Sequence, residues 1–108
     1  DGIYEDVVEL FRDDPCVHLH RKYSSDVVAM FADEYFDWVY IDANHSYEYV
    51  KEDLNNWYPK VKKGGNLMGD DYRCKPKMQF GVIQAVDEFV NERNIKLHTE
   101  RRQFIITK

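Results

Sequence analysis

The sequence predicts an α/β fold whose sheet is mostly parallel, with an antiparallel strand at its C-terminal end. Segments with helical spacing alternate with short runs of β-forming residues along the chain. The run WVYIDA, residues 38–43, has four bulky β-formers in succession, which is typical of a central strand covered on both faces. The last two β segments, 97–99 and 103–108, are joined too closely for a crossover helix, so at least one runs antiparallel.

Composition indicates one folded domain without an obvious nucleic-acid or membrane function. The chain has 108 residues, of which 44% are hydrophobic, enough for a modest core. Its net charge of −5 argues against general electrostatic binding to nucleic acid. No window reaches the roughly 18 apolar residues of a membrane span, and no signal peptide is evident. We therefore expect a cytoplasmic protein, in which Cys16 and Cys74 are free thiols.

The first third of the sequence predicts a helix, a strand and a second helix. IYEDVVELFR, 3–12, places its apolar residues on one helical face. CVHLHR, 16–21, alternates apolar residues with histidines, which favours a strand. SSDVVAMF then offers Ser24 or Ser25 as the N-cap of the next helix.

The middle and the end of the chain continue the alternation. After the strand 38–43, Ser46 can cap a helix whose apolar side includes Val61, and Pro59 with the glycine pair 64–65 closes it. NLMGDDY, 66–72, is a second strand that ends on carboxylates. VIQAVDEFVNER, 82–93, has helical spacing and leads to the two final β segments.

Two predicted strands thus end on acids, Asp42 on the first and the pair Asp70–Asp71 on the second. In open α/β sheets, ligands bind beyond the carboxyl ends of the strands. Carboxylates gathered there would repel one another unless a cation or hydrogen-bond donors neutralised them, and oxygen ligands favour a hard ion such as Mg²⁺, with Mn²⁺ or Ca²⁺ as alternatives. Exposure in loops or helix capping is the competing interpretation of these acids. His45, at the turn after Asp42, either accepts a proton from a bound hydroxyl or only caps the next helix or packs on Tyr72.

The chain resembles the class I S-adenosylmethionine-dependent methyltransferases, within them the small-molecule O-methyltransferases of the catechol and macrocin types. The resemblance rests on FDWVYIDANHSYEYVKEDLNNWYPKVKKGGNLMGDDY followed by GVIQAVDEF. It implies a partial Rossmann-like methyltransferase fold and S-adenosylmethionine as the cofactor. The reaction implied is methylation of a hydroxyl of a small molecule, with help from a divalent metal.

The resemblance also assigns roles to residues. In metal-dependent members, acids at these strand ends bind the metal, which implies Asp42, Asp70 and Asp71 here. His45 stands where the family often has a lysine general base, so it is the candidate catalytic residue. The segment VHLHRKYSSDVV looks like the family's third strand and the turn beside the cofactor adenine. That likeness places four residues near the adenine or its ribose: Lys22, Tyr23, Ser24 and Ser25.

The family's glycine-rich turn after its first strand, and the acid after its second, have no counterpart before residue 16. Residues 1–108 are therefore expected to form the C-terminal part of a methyltransferase domain without the N-terminal cofactor-binding units. A sheet cut there would expose the edge of the strand 38–43, because the family's first strand normally lies beside it. We expect either a second copy of the chain or a preceding half of the protein to cover that edge.

Three functions follow from these observations. The first is methyl transfer from S-adenosylmethionine to a small-molecule hydroxyl. The second is metal-dependent hydrolysis, because acids and a histidine around a cation can also activate water. The third is a non-catalytic binding or scaffold role for a fragment that kept the fold.

Overall fold

Apart from the strand predicted at 16–21, the helices and strands follow one another in the predicted order. The computed structural model describes residues 2–20, 22–42, 46–70, 72 and 81–108. The strands are β1 (Phe36–Ile41), β2 (Val61–Gly69), β3 (Leu97–Glu100) and β4 (Gln103–Thr107). The α-helices are α1 (Gly2–Phe11), α2 (Ser24–Val27), α3 (Tyr47–Trp57) and α4 (Gly81–Arg93), and 3₁₀ turns span Val28–Met30 and Tyr58–Lys60.

The four strands form one sheet in the order β1-β2-β4-β3. β1 and β2 are parallel, whereas β4 is antiparallel to both β2 and β3. Three strands therefore point the same way and the C-terminal strand runs against them, which confirms the predicted class. Only one of the three strand pairings is parallel, however, because β4 lies between β2 and β3.

Helix α3 forms where its sequence has both a start and a stop signal. Ser46 is the N-cap residue, and Val50 and Leu54, one turn apart, are buried at 3% and 0% exposure. Pro59 lacks the N–H that a further helical turn would need, so α3 ends at Trp57. Val61 was expected on the helix face but instead opens β2.

The two glycines predicted to close the helix lie inside β2 rather than in a turn before it. The pairing of β1 with β2 is irregular between Phe36 and Trp38, where β2 carries extra residues. Gly64 has φ 88°, a backbone conformation that residues other than glycine rarely adopt. At Gly65 a Cβ atom would lie 2.3 Å from the carbonyl oxygen of Asp37. The glycines therefore permit a bulge in β2 that lies close against the backbone of β1.

One face of the sheet packs against α3 and α4 to form the core. The buried cluster takes residues from both helices, from β2 and from β4: Val50, Leu54, Val61, Leu67, Val82, Ala85, Val86, Phe89, Val90, Phe104 and Ile106. Phe104 pairs with Gly69 across the strands, and a Cβ on Gly69 would lie 2.4 Å from its ring. Because Gly69 directly precedes Asp70, the core ring supports the end of β2 that leads into the predicted site.

The described residues of the predicted strand 16–21, which are 16–20, do not form a strand. Residues 17–20 have no regular structure in the part of the chain that is described, and the sheet ends at β1 without a further strand. Alternation of apolar and polar residues defines a possible strand face, but a strand needs a hydrogen-bonding neighbour to persist. The segment has no such neighbour among the described residues, so the expectation of a third family strand here was wrong.

Strand β1 is an edge strand with an exposed face, not a central strand covered on both faces. Val39 and Ile41 pack toward the core, while Trp38 and Tyr40 point to the opposite side of the sheet and are 60% and 39% exposed. Among the described strands β1 pairs only with β2. The apolar β-formers of this strand thus exceed what the described chain can bury.

Candidate functional site

Asp42 and Asp70 lie side by side at one end of the sheet. Ile41 pairs with Gly69 in the parallel β1–β2 ladder, and the two aspartates are the next residues on each strand. Asp42 is exposed and Asp70 is half-buried. Parallel pairing therefore places the two aspartates at neighbouring strand ends on the carboxyl edge, where Asp42 lines one cavity and Asp70 another.

Two other predicted site residues, His45 and Asp71, lie outside the described residues. In the described ranges, which omit both, no group of three His, Cys, Asp or Glu side chains is close enough to hold a metal ion. The predicted metal set is therefore represented here by two neighbouring carboxylates. Two protein carboxylates suit Mg²⁺, which retains several waters and is often held by only one or two such ligands.

A cavity of about 310 Å³ extends from Asp42 to Ser24. Residues 39–41 of β1 form one wall, and Asp53 and Trp57 of α3 form another. Its volume is at the lower end of the range for small-molecule sites, about 300–1,000 Å³. A residue predicted to contact the cofactor and a residue predicted to bind metal thus line the same space.

The hydroxyl of Ser24 is held from two sides by α3. It donates a hydrogen bond to Asp53 Oδ1 at 2.9 Å and accepts one from the indole N–H of Trp57 at 2.6 Å. Ser24 was considered as an N-cap, but the N-cap of α2 is Tyr23 and Ser24 is the first helical residue. Its side chain joins α2 to α3 instead of capping its own helix.

Asp53 and Trp57 were not predicted as site residues. Burial raises the pKa of Asp53 above its ordinary value, the hydrogen bond from Ser24 opposes that rise, and neighbouring Glu52 adds to it. The available sequence signal was their spacing, since residues four apart share one face of a helix. That spacing says which face they occupy, but not that Ser24, more than 25 residues earlier, meets them there.

The other three residues assigned to the cofactor surround Ser24 without facing the cavity. Lys22 and Ser25 are exposed, and Tyr23 is 82% exposed. The carbonyl oxygen of Tyr23 accepts the N–H groups of Asp26 and Val27, at 2.9 and 3.1 Å, and so starts α2. Of these four predicted residues the structure brings only Ser24 to the cavity wall.

Tyr72 anchors the chain just after the acidic pair. Its hydroxyl donates to Asp87 Oδ1 on α4 at 2.6 Å, and its backbone N–H donates to the carbonyl oxygen of Arg102 at 2.8 Å. Burial, reinforced by the hydrogen bond to Asp87, raises the pKa of Tyr72 to about 12. One residue therefore ties the exit of β2 to both α4 and the β3–β4 turn.

Comparison with protein families decides the class. Residues 4–72 match a family model described as a methyltransferase domain, and this range contains both aspartates and Ser24. The chain belongs to this methyltransferase family. None of the curated proteins matches the chain significantly.

Solved structures agree with the methyltransferase assignment. A protein from Corynebacterium glutamicum has a TM-score of 0.76 at 17% identity, over 100% of this chain and 57% of its own. A candidate caffeoyl-CoA O-methyltransferase from Staphylococcus aureus has a TM-score of 0.71 at 12% identity, over 99% of this chain and 59% of its own. The O-methyltransferase NovP has a TM-score of 0.51 at 28% identity, over 67% of this chain and 30% of its own.

This member of the methyltransferase family spans less than two thirds of the length of the first two of these structures. The first two likenesses, at low identity, show a shared fold. A separate property of the chain concerns its helices: within the described ranges none is both long and apolar enough to cross a membrane.

In this chain, Tyr72→Phe is expected to lower the free energy of unfolding by about 1 kcal/mol, the usual contribution of one hydrogen bond. The raised pKa favours the protonated hydroxyl in the folded state. The difference in free energy of unfolding between the wild type and Tyr72→Phe should therefore be complete below pH 10 and disappear as the pH rises from 10 toward 12. Urea unfolding at pH 8, 10 and 11 measures it. Tyr35→Phe, at an exposed tyrosine, is the control, and an equal loss in both variants would contradict the anchoring role.

Proposed function

We propose that the intact protein transfers a methyl group from S-adenosylmethionine to a hydroxyl of a small molecule, with help from a divalent cation. The observation that carries this proposal is the placement of Asp42. It lies beside Asp70 at the carboxyl edge and also lines the cavity that reaches Ser24. In a methyltransferase domain, such an edge offers one place for the acceptor and a neighbouring place for the methyl donor.

The hydrogen bonds of Ser24 limit what it can do for the cofactor. A hydroxyl has one donor and two acceptor lone pairs. The donor is used by Asp53 and one lone pair by Trp57, so one lone pair is left to accept an N–H such as the adenine amine. We propose this contact for Ser24. Lys22, Tyr23 and Ser25, exposed beside it, are proposed to flank the adenosine moiety.

The residues proposed to hold the cation are Asp42, Asp70 and Asp71, which directly follows Asp70 in the sequence. When bound, a divalent cation lowers the pKa of the acceptor hydroxyl and orients it. The arrangement of the two described carboxylates fits this task, because one is exposed and the other half-buried on adjacent strands. A bound Mg²⁺ would keep several waters, which a chelating acceptor could replace.

The transfer itself needs a base and an in-line approach. The acceptor oxygen forms a bond to the methyl carbon while the carbon–sulfur bond breaks, so S-adenosylhomocysteine leaves and the hydroxyl proton passes to a base. We propose His45 as that base, because it is three residues from Asp42 and an imidazole is the side chain best suited to take a proton near neutral pH. Holding donor and acceptor in one geometry supplies much of the rate enhancement.

We also propose that a preceding half of the same protein covers the free edge and face of the sheet. β1 has one described neighbour, and Trp38 on the face away from the helices is 60% exposed. Helix α1 buries none of its residues, with Ile3 and Leu10 at 79% and 75% exposure. Apolar surface and an open strand edge of this kind are normally covered in a folded protein. A second copy of the chain is the competing occupant.

Calorimetric titration of the intact protein with S-adenosylhomocysteine tests the cofactor assignment. We expect saturable binding that Ser24→Ala weakens about three- to tenfold, the scale of one hydrogen bond. Thr107→Ala, which also removes a hydrogen-bonded hydroxyl but lies away from the cavity, should bind like the wild type. No binding by the folded, intact protein would overturn the proposed function, and metal-dependent ester cleavage without cofactor would favour a hydrolase.

A further inference from the structure

The turn between β3 and β4 lies at the same edge of the sheet as the aspartates. β3 points in the direction of β2, so it ends at the carboxyl edge, and β4 starts back from there at Gln103. Two arginines, Arg101 and Arg102, form the turn between the paired residues Glu100 and Gln103. The pairing of Gly69 with Phe104 brings this turn next to Asp70.

A second cleft, of about 380 Å³, connects the turn to Asp70. Its lining is polar and consists of Asp70 and residues 100–103. The hydrogen bond from the N–H of Tyr72 to the carbonyl oxygen of Arg102, 2.8 Å long, fixes the turn against the exit of β2. The guanidinium groups therefore stand on an anchored backbone beside a candidate metal ligand.

Both guanidinium groups are available for a ligand. In the described part of the chain, neither Arg101 nor Arg102 has an ion pair, whereas Arg12 and Arg93 each pair with a carboxylate close by in the sequence. Both turn arginines are exposed. A guanidinium presents a planar fork of N–H donors that matches the oxygens of a carboxylate or a phosphate.

The backbone of the turn gives a second, independent observation. Arg101 has φ 56°, in the left-handed region that short hairpin turns usually fill with Gly, Asn or Asp. An arginine is a poor residue for this conformation on structural grounds alone. Residues held in unfavourable backbone regions are often at functional sites, where their side chain is needed.

We infer that Arg101 and Arg102 form an oxyanion subsite for a carboxylate or phosphate group on the methyl acceptor. This inference rests on the proposed function for its link to methyl transfer. The acceptor hydroxyl would lie toward Asp70 and its anionic group toward the turn. The negative charge of Asp70 opposes an anion in the cleft, so occupancy of the carboxylates by a cation should strengthen anion binding.

The first experiment titrates the intact protein with inorganic phosphate and, separately, acetate at constant ionic strength. The readout is the ¹⁵N–¹H NMR signal of the arginine Nε–H groups. We expect saturable shifts of two arginine signals, weaker at about 500 mM salt than at 50 mM because the groups are exposed. Shifts with phosphate alone assign a phosphate-bearing acceptor, and shifts with acetate as well assign the site to oxyanions in general. Equal, non-saturating shifts with chloride would mean an adventitious ion only and overturn the subsite.

Arg101→Gly separates the guanidinium from the turn, because glycine accepts φ 56° readily. This variant should keep its melting temperature and lose about tenfold or more in phosphate affinity, as expected for a charge-assisted hydrogen bond. Lys63→Gln removes an equal charge from an exposed position in the N-terminal half of β2 and should bind phosphate like the wild type. Equal affinity in Arg101→Gly and the wild type would overturn the inference.

The oxyanion subsite and the proposed methyl transfer can be tested independently of each other. Phosphate binding is measured without cofactor, so a loss of S-adenosylhomocysteine binding leaves its result unchanged. With a hydroxylated acceptor that bears a carboxylate, Arg101→Gly should raise KM about tenfold and leave kcat near the wild-type value, because the subsite binds ground and transition states alike. Its uncharged amide analogue should show no such difference between variant and wild type. An equal effect on both acceptors would assign the arginines a purely structural role.

Discussion

Asp70→Asn is expected to reduce the rate of methyl transfer by the intact protein more than about 100-fold. Substituting residues that only hydrogen-bond to metal ligands already lowers metal affinity or activity about 10- to 100-fold, and Asp70 is proposed to be a ligand itself. Asparagine has nearly the same shape, so the half-buried position after Gly69 is preserved while the charge that attracts a cation is removed. Asp42→Asn, at the adjacent strand end, should behave the same way. Initial rates at saturating S-adenosylmethionine, measured over a range of Mg²⁺ concentrations, give the result.

The matched control is Asp37→Asn. Asp37 is also on β1, but it lies near the opposite end of the strand, where its exposed side chain is 3.4 Å from Lys62. Removing this charge should leave both the rate and the Mg²⁺ dependence close to the wild type. If Asp70→Asn kept the wild-type rate, the carboxylates would have no part in the reaction, even if S-adenosylhomocysteine still bound.

Phe104→Ala is expected to lower the free energy of unfolding by about 3 to 5 kcal/mol, the usual cost of truncating a buried phenylalanine. The ring is 1% exposed and lies against Gly69 within the main cluster. Ordinary domains have only about 5 to 15 kcal/mol of stability, so the variant should be marginally folded. Urea unfolding of the intact protein, followed by circular dichroism, measures the loss.

Thr99→Ala is the control for this change, because Thr99 pairs with Phe104 across β3 and β4 but is exposed. Thr99→Ala should change the free energy of unfolding by no more than about 0.5 kcal/mol, as most surface substitutions do. A similar, small loss in both variants would mean that the ring is not packed as described. Phe104→Ala should also lower activity at temperatures where it remains folded, since Asp70 follows the glycine that the ring contacts.

Element type was predictable where sequence signals agreed with one another. α3 had an N-cap residue, apolar residues one turn apart and a proline beyond its end, and it forms at the expected place. The antiparallel direction of one of the two C-terminal strands was predictable because their connection is too short for a crossover helix. The segment 16–21 had only an alternating pattern, and alternation without a neighbouring strand does not make a sheet.

The candidate site was predictable to the extent that topology determines it. Parallel strands end at one edge, so Asp42 and Asp70 could be placed together once both were recognised as strand ends. The link from Asp53 to Ser24 could not be predicted, because local spacing contains no information on which helix meets which turn. For the same reason, the position of the Arg101–Arg102 turn beside Asp70 could not be predicted. The turn lies there because β4 is placed between β3 and β2 in the sheet.

The sequence by itself determined the alternation of helices and strands, the acids at the ends of two strands and the methyltransferase resemblance, because each of these is set by local spacing and residue type. The tertiary structure alone decided the exposure of β1, the Ser24 contacts and the placement of Arg101 and Arg102 beside Asp70. Such contacts join residues far apart in the chain. Their energy depends on how the sheet and helices pack around a shared core, which no short stretch of sequence encodes.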